Sequence, residues 1–215
     1  MAKVTALKRR GGKVEVCLDG ELSFKVSAEV AGRLNLSAGQ VLSADEVEEL
    51  LETEAVERCL AVAFRLLSYR PRSRAELRQR LLRRGFSEIV VYKVLALLKE
   101  KGLVDDVAFA RYWADNRARF KPRSARLISL ELKRKGISSE VVSEAIQSLD
   151  DEVLAYEAGS KKARALARLP EEEFYQRLYN YLCRRGFGDG VIRSVLGRLR
   201  EIYGAAGDER VAVDV

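Results

Sequence analysis

A unit of about fifty residues occurs three times in this chain, which restricts the fold to one made by stacking a single supersecondary element. YRPRS at 69–73 is followed 51 residues later by FKPRS at 120–124. The same offset carries LLRRGF (81–86) onto LKRKGI (132–137), and a further 50 residues carry that onto LCRRGF (182–187). Apolar positions keep the register: Leu77, Ile128 and Leu178; Leu81, Leu132 and Leu182; Val91, Val142 and Ile192; Leu95, Ile146 and Leu196; Leu98, Leu149 and Leu199.

Within each copy, apolar residues three and four apart lie on both sides of a glycine, so each glycine separates two amphipathic helices. Gly85, Gly136 and Gly186 are therefore expected to be left-handed helix caps, each preceded by cations that suit a helix C-terminus. A further helix, over roughly 55–69 and 106–119, precedes each Pro-Arg-Ser, making the unit three helices long. Ser73 and Glu76 stand in capping-box spacing, and Pro71 and Pro122 mark breaks between helices. The third copy has Pro170 and three glutamates, Glu171 to Glu173, but no Arg-Ser pair. It keeps the core and changes the surface.

The first forty residues differ. Short β-compatible runs are separated by Gly11-Gly12 and Asp19-Gly20, a hairpin and meander signal, so three strands are expected. Such a sheet is too small to stand alone and must pack on a short helix near Ser27 or on the helical body. From Ser43, which with Glu46 forms a second capping-box pattern, only helices are expected. The fold class is thus mainly α: three tandem three-helix repeats in an elongated curved arrangement, preceded by a small three-stranded β extension. The expected divisions are 1–42 for the extension, 43–105 for the first repeat with its preceding helix, 106–150 for the second, 151–203 for the third, and 204–215 as a poorly ordered tail.

Composition narrows the chemistry. The 215 residues include no histidine, which removes the commonest general base and the commonest zinc ligand together. No phosphate loop, dinucleotide fingerprint, paired CxxC or nucleophile elbow occurs. Asp105, Asp106 and Asp115 resemble a magnesium set only superficially, because adjacent aspartates before an apolar helical run are placed to cap that helix. A non-enzyme without cofactor or metal is expected. Cys17, Cys59 and Cys183 are odd in number, far apart and set in apolar runs, so buried free thiols are expected. The N-terminal stretch has no signal-peptide pattern and no apolar run is long enough to span a bilayer, which points to the cytoplasm and away from membranes.

The net charge is +7. The first 51 residues hold seven Lys+Arg and eight Asp+Glu, so the rest hold 32 against 24 and carry the whole excess. It is concentrated further: residues 70–84 contain seven arginines and one acid, and 117–135 contain eight Lys+Arg and one acid. With so few acids nearby, internal pairing is a poor explanation and a polyanion or acidic protein surface is the expected partner. The candidate contact residues are Arg70, Arg72, Arg74, Arg78, Arg119, Lys121, Arg123 and Arg126. Tyr69 and Phe120, at one repeat position beside the Pro-Arg-Ser, are candidates for stacking on single-stranded bases. Tyr92, Phe109, Tyr112 and Trp113 are read mainly as packing residues.

R-P-R-S-R-A-E-L at 70–77, the L-x-x-x-G-L-V-D-D-x-x-F-A series from Leu98 to Ala110, and the E-L-x-x-x-G-I echo from Glu131 to Ile137 resemble the RecX regulatory family over residues 55–200. The resemblance implies tandem three-helix repeats, with residues 1–40 similar to the N-terminal extension of longer members. It also implies a protein that binds the RecA nucleoprotein filament and restrains strand exchange, ATP hydrolysis and co-protease activity; from this the expected mode is a monomer lying in the helical groove of the filament. Two other readings stand beside it: direct binding of single- or double-stranded DNA by helix-turn-helix-like units, and a helical scaffold whose charge serves solubility.

Overall fold

The computed structural model describes residues 1–203; the expected tail, 204–215, lies outside the described residues. Two compact units meet in sequence at Val104 and Asp105.

In the first unit, β1 (Ala2–Arg10), β2 (Lys13–Leu18) and β3 (Glu21–Ser27) form an antiparallel meander. Asp19 and Gly20 both take positive φ, 49° and 94°, as the two-residue turn between β2 and β3 requires. A fourth strand, β4 (Val41–Leu42), adds to the far edge of β1, so the spatial order is β3-β2-β1-β4 and the sheet has one strand more than expected. Between β3 and β4 lies α1 (Ala28–Arg33), capped by the Ser27 hydroxyl.

The sheet's apolar face, Val4, Val14, Val16 and Val26, is closed by Val30 and Ala31 of α1 and by Leu50 of α2 (Ala44–Tyr69). Ser43 and Glu46 form the expected capping box at the start of α2. Glu54 of α2 is only 5% exposed, and its carboxylate accepts the Ser27 N–H at 2.7 Å, tying α2 to the point where sheet becomes helix.

The 26-residue α2 serves two cores. Its first half covers the sheet, and its second half, through Cys59, Ala63 and Leu66, packs on α3 (Arg74–Leu82) and α4 (Glu88–Glu100). Burial places the Cys59 thiol at a pKa of about 11, so it is an inert core group.

The second unit contains α5 (Asp106–Phe120), α6 (Ala125–Arg134), α7 (Ser139–Ile146), α8 (Asp151–Leu166), α9 (Glu171–Arg184) and α10 (Asp189–Tyr203). Asp105 and Asp150 cap α5 and α8 through their side chains. The repeated apolar positions 77/128/178 and 81/132/182 are fully buried, and 91/142/192 nearly so. At the next position only Leu95 is buried; Ile146 and Leu196 are half-buried, and the deeper groups are their predecessors Ala145 and Val195. Gly85, Gly136 and Gly186 have φ of 86°, 77° and 85°, which is the expected left-handed cap in every copy.

Cys183 departs from expectation: it is exposed, because on α9 it follows the core residue Leu182 and is rotated out of the packed face. Cys17 and Cys59 are buried. Among the described residues no helix is long and apolar enough to cross a membrane.

Candidate functional site

Each Pro-Arg-Ser ends one helix and starts the next. Ser73 and Ser124 are both completely buried, and their hydroxyls accept from Glu76 N and Leu127 N to cap α3 and α6. In the third copy Pro170 occupies the cap position without a side-chain bond, and the acidic first turn Glu171 to Glu173 complements the helix dipole instead.

The predicted contact residues separate into two groups. Arg70 makes a bidentate pair with Glu76, and Arg78 donates twice to Glu88. Arg123 pairs with Glu131. Arg72 is 8% exposed: its Nε donates to the Leu66 carbonyl at 2.9 Å and its Nη1 is buried without a hydrogen-bond partner. Burial, with the charges of Arg70 and Arg80, pulls the Arg72 guanidinium below its ordinary pKa, against an opposing pull from Glu76. Arg72 therefore braces the end of α2 and is not offered to a surface partner.

The low local count of acids thus understated pairing: Glu88, the partner of Arg78, lies outside the counted stretch, and the one acid of 117–135, Glu131, holds both Arg117 and Arg123. Arg74, Arg119, Lys121 and Arg126 are exposed. Among the described residues Arg119, Lys121 and Arg126 make no ion pair. Arg119 and Lys121 lie at the end of α5, where the helix dipole favours cations. Arg126 lies in the first turn of α6, where it disfavours them, so helix electrostatics give no account of that charge.

Tyr69 and Phe120 are the last residues of α2 and α5 and are 77% and 72% exposed, open to a flat partner. Of the aromatics assigned to packing, Phe109 is buried, but Tyr92 and Tyr112 are 66% and 41% exposed. Trp113 is half-buried and belongs to a polar cluster that the sequence reading did not foresee.

At the centre of that cluster is Glu131. It accepts from Trp113 Nε1 and Arg117 Nε, each at 2.7 Å, and from Arg123 Nη1. The Arg117 guanidinium and the Lys135 ammonium lie over the Trp113 ring, 4.4 and 4.0 Å from its centroid. Burial raises the Glu131 pKa, but the hydrogen bonds from Arg117 and Trp113 and the charges of Arg117 and Arg123 outweigh it, leaving the carboxyl below its ordinary value. The i,i+4 spacing of Trp113 and Arg117 was the one sequence signal that pointed here.

The second and third three-helix segments share this region. Ser124 N donates to the Arg185 carbonyl, Arg185 Nη1 donates to the Pro122 carbonyl at 2.7 Å, and Ala125 N donates to Asp151. The second Pro-Arg-Ser is thus a seat for the α9–α10 turn. Its outward groups are Lys121 and Arg126.

Three family models match in tandem: "RecX, first three-helix domain" over residues 59–98, "RecX, second three-helix domain" over 105–146 and "RecX, third three-helix domain" over 150–196. A protein named Regulatory protein RecX from Chlorobium limicola is 38% identical over 139 residues, 65% of this chain and 87% of that one. Its namesake from Amycolatopsis mediterranei is 33% identical over 160 residues, 73% of this chain and 91% of the relative. A crystal structure of regulatory protein RecX aligns with a TM-score of 0.66 at 23% identity, covering 92% of this chain and 100% of that one. The crystal structure of RecX from Lactobacillus salivarius gives 0.57 at 19% identity, over 68% and 97%. Both show the fold. With all three modules matched in order over most of residues 59–196, the chain belongs to the RecX family of regulatory proteins.

Proposed function

We propose that this protein is a non-catalytic cytoplasmic regulator that binds the RecA filament on single-stranded DNA in its helical groove, as a monomer, and inhibits recombinase, ATPase and co-protease activities. The observation that carries the reading is the tandem of three family modules on one chain, two of which end a helix in an exposed aromatic beside basic groups. Several weak contacts on one chain combine through effective concentration, so a polymer with repeated sites is preferred over a free protomer. A body lying in the groove excludes the second DNA and the repressor substrate. The proposed working divisions are 1–42, 43–105, 106–150 and 151–203.

RecA ATPase on single-stranded DNA should fall as the protein is added; no change in rate or in filament length rejects the reading. Arg119, Lys121 and Arg126 are the residues to reverse together, because Arg72 and Arg123 are held internally and their reversal would test folding. The triple reversal should weaken filament binding with helicity intact.

A second reading, direct DNA binding, draws on the exposure of Tyr69 and Phe120, since stacked aromatics beside cations suit single strands. Tight, salt-dependent binding to oligonucleotides without RecA favours it.

A further inference from the structure

We propose that Arg185 is a positioning residue: from the third module it braces the turn of the second that displays Phe120, Lys121 and Arg126, and so leaves Lys121 available to a partner. This deepens the filament reading and rests on it for the identity of that partner.

The 51-residue offset places Tyr69 on Phe120, Arg70 on Lys121, Pro71 on Pro122, Ser73 on Ser124 and Glu76 on Leu127. In the first module the turn carries a brace made of its own residues. Arg70 Nη1 donates to the Pro71 carbonyl at 2.9 Å, and the same guanidinium grips Glu76 with bonds of 3.1 and 2.6 Å. Both ends of that brace are gone from the second module, where a lysine and a leucine stand in their places.

The third module supplies a substitute. Arg185 Nη1 donates to the Pro122 carbonyl at 2.7 Å, the acceptor equivalent to that of Pro71. The Arg185 carbonyl accepts the Ser124 N–H at 3.0 Å, and Asp151 accepts the Ala125 N–H at 2.7 Å. Leu127, in the place of Glu76, lies so close to the Gly186 turn that a Cβ there would come within 2.4 Å of its Cγ. Pro122 is buried, whereas Pro71 is exposed. Arg185 is itself steadied by the Tyr181 ring, with 4.5 Å between the guanidinium carbon and the ring centroid.

The consequence lies on the outer side of the turn. Arg70 is occupied by Glu76 and the Pro71 carbonyl, whereas Lys121 is exposed and makes no ion pair among the described residues. A turn already ordered before it meets a partner loses less conformational freedom on binding, and the gain appears chiefly as slower dissociation. The third module, which has no Arg-Ser pair of its own, thus serves contact through the second.

Amide hydrogen exchange of residues 120–127 in the free full-length protein reads the brace, and RecA ATPase on single-stranded DNA reads its effect on contact. Arg185→Ala should speed exchange of that segment by roughly threefold to tenfold, the size of one lost hydrogen bond. The concentration for half-inhibition should rise by a similar factor while the plateau of inhibition stays the same. Exchange in the core of α8, residues 154–163, should not change, and Arg184→Ala, at the exposed neighbour on the same turn, should alter neither readout. Unchanged exchange over 120–127 overturns the brace. An equal rise over 154–163 reduces Arg185 to a general stabiliser and overturns it too. Faster exchange with undiminished inhibition overturns the positioning role, as does weakened inhibition by Arg184→Ala, which makes the third-module turn a contact in its own right. Arg185→Met, which keeps the apolar stem, replaces Arg185→Ala if the latter loses helicity, with the same outcomes. If the wild-type protein leaves RecA ATPase unchanged, the filament reading fails and exchange alone decides the brace.

Discussion

Glu131 of α6 gathers Trp113, Arg117 and Arg123, two donors from α5 and one from the segment that follows it, onto one carboxylate. Its side chain is 14% exposed, so these bonds are only partly shared with water. A carboxyl whose folded pKa lies below its ordinary 4.5 contributes stability that is complete above that value and is lost as pH falls through the folded pKa. Glu131→Gln keeps the shape and removes the charge. It should lower stability at neutral pH by roughly 1–3 kcal/mol, from the unmatched guanidinium groups. The difference between variant and wild type should shrink as pH drops below 4.5. Thermal midpoints of the two proteins across that range check this; a pH-independent difference counts against the charge account.

Helix ends decide what each repeated glycine tolerates. Gly85 and Gly186 have nearly the same φ, yet a Cβ at Gly85 meets nothing within 4 Å, whereas at Gly186 it would lie 2.4 Å from Leu127 Cγ and 2.7 Å from Ser124 Oγ. Gly85→Ala should cost roughly 1–2 kcal/mol, the penalty for a left-handed L-residue. Gly186→Ala bears that penalty and a steric one against a buried cap, so it should cost about 3 kcal/mol or more, consistent with overpacking. Denaturant midpoints of the two variants read the difference directly. The glycines and their caps were legible in the sequence because they depend on residues a few positions apart. The seat of Gly186 on α6 was not, because it joins groups about sixty residues apart. The two-residue β4 was equally illegible: periodicity has no meaning over two residues, and only pairing with Ala2 and Lys3 defines it.

Two compact units, each with buried clusters of its own, make up the molecule: the sheet and first three-helix cores in one, the second and third three-helix cores in the other. Separate chains of 1–104 and 105–215 should each fold and unfold cooperatively, the first with mixed and the second with helical circular dichroism. A fragment that melts without a transition would show that its cores depend on the other unit. The repeat, the helical modules, their caps and the family were all readable from sequence, because amphipathic period and capping chemistry are local properties. What the tertiary structure alone decided is which arginines remain available. A count of neighbouring acids cannot see Glu88 reaching Arg78, or the single carboxylate of Glu131 holding both Arg117 and Arg123, since charges pair by distance in space, and only folding brings those groups within hydrogen-bond range.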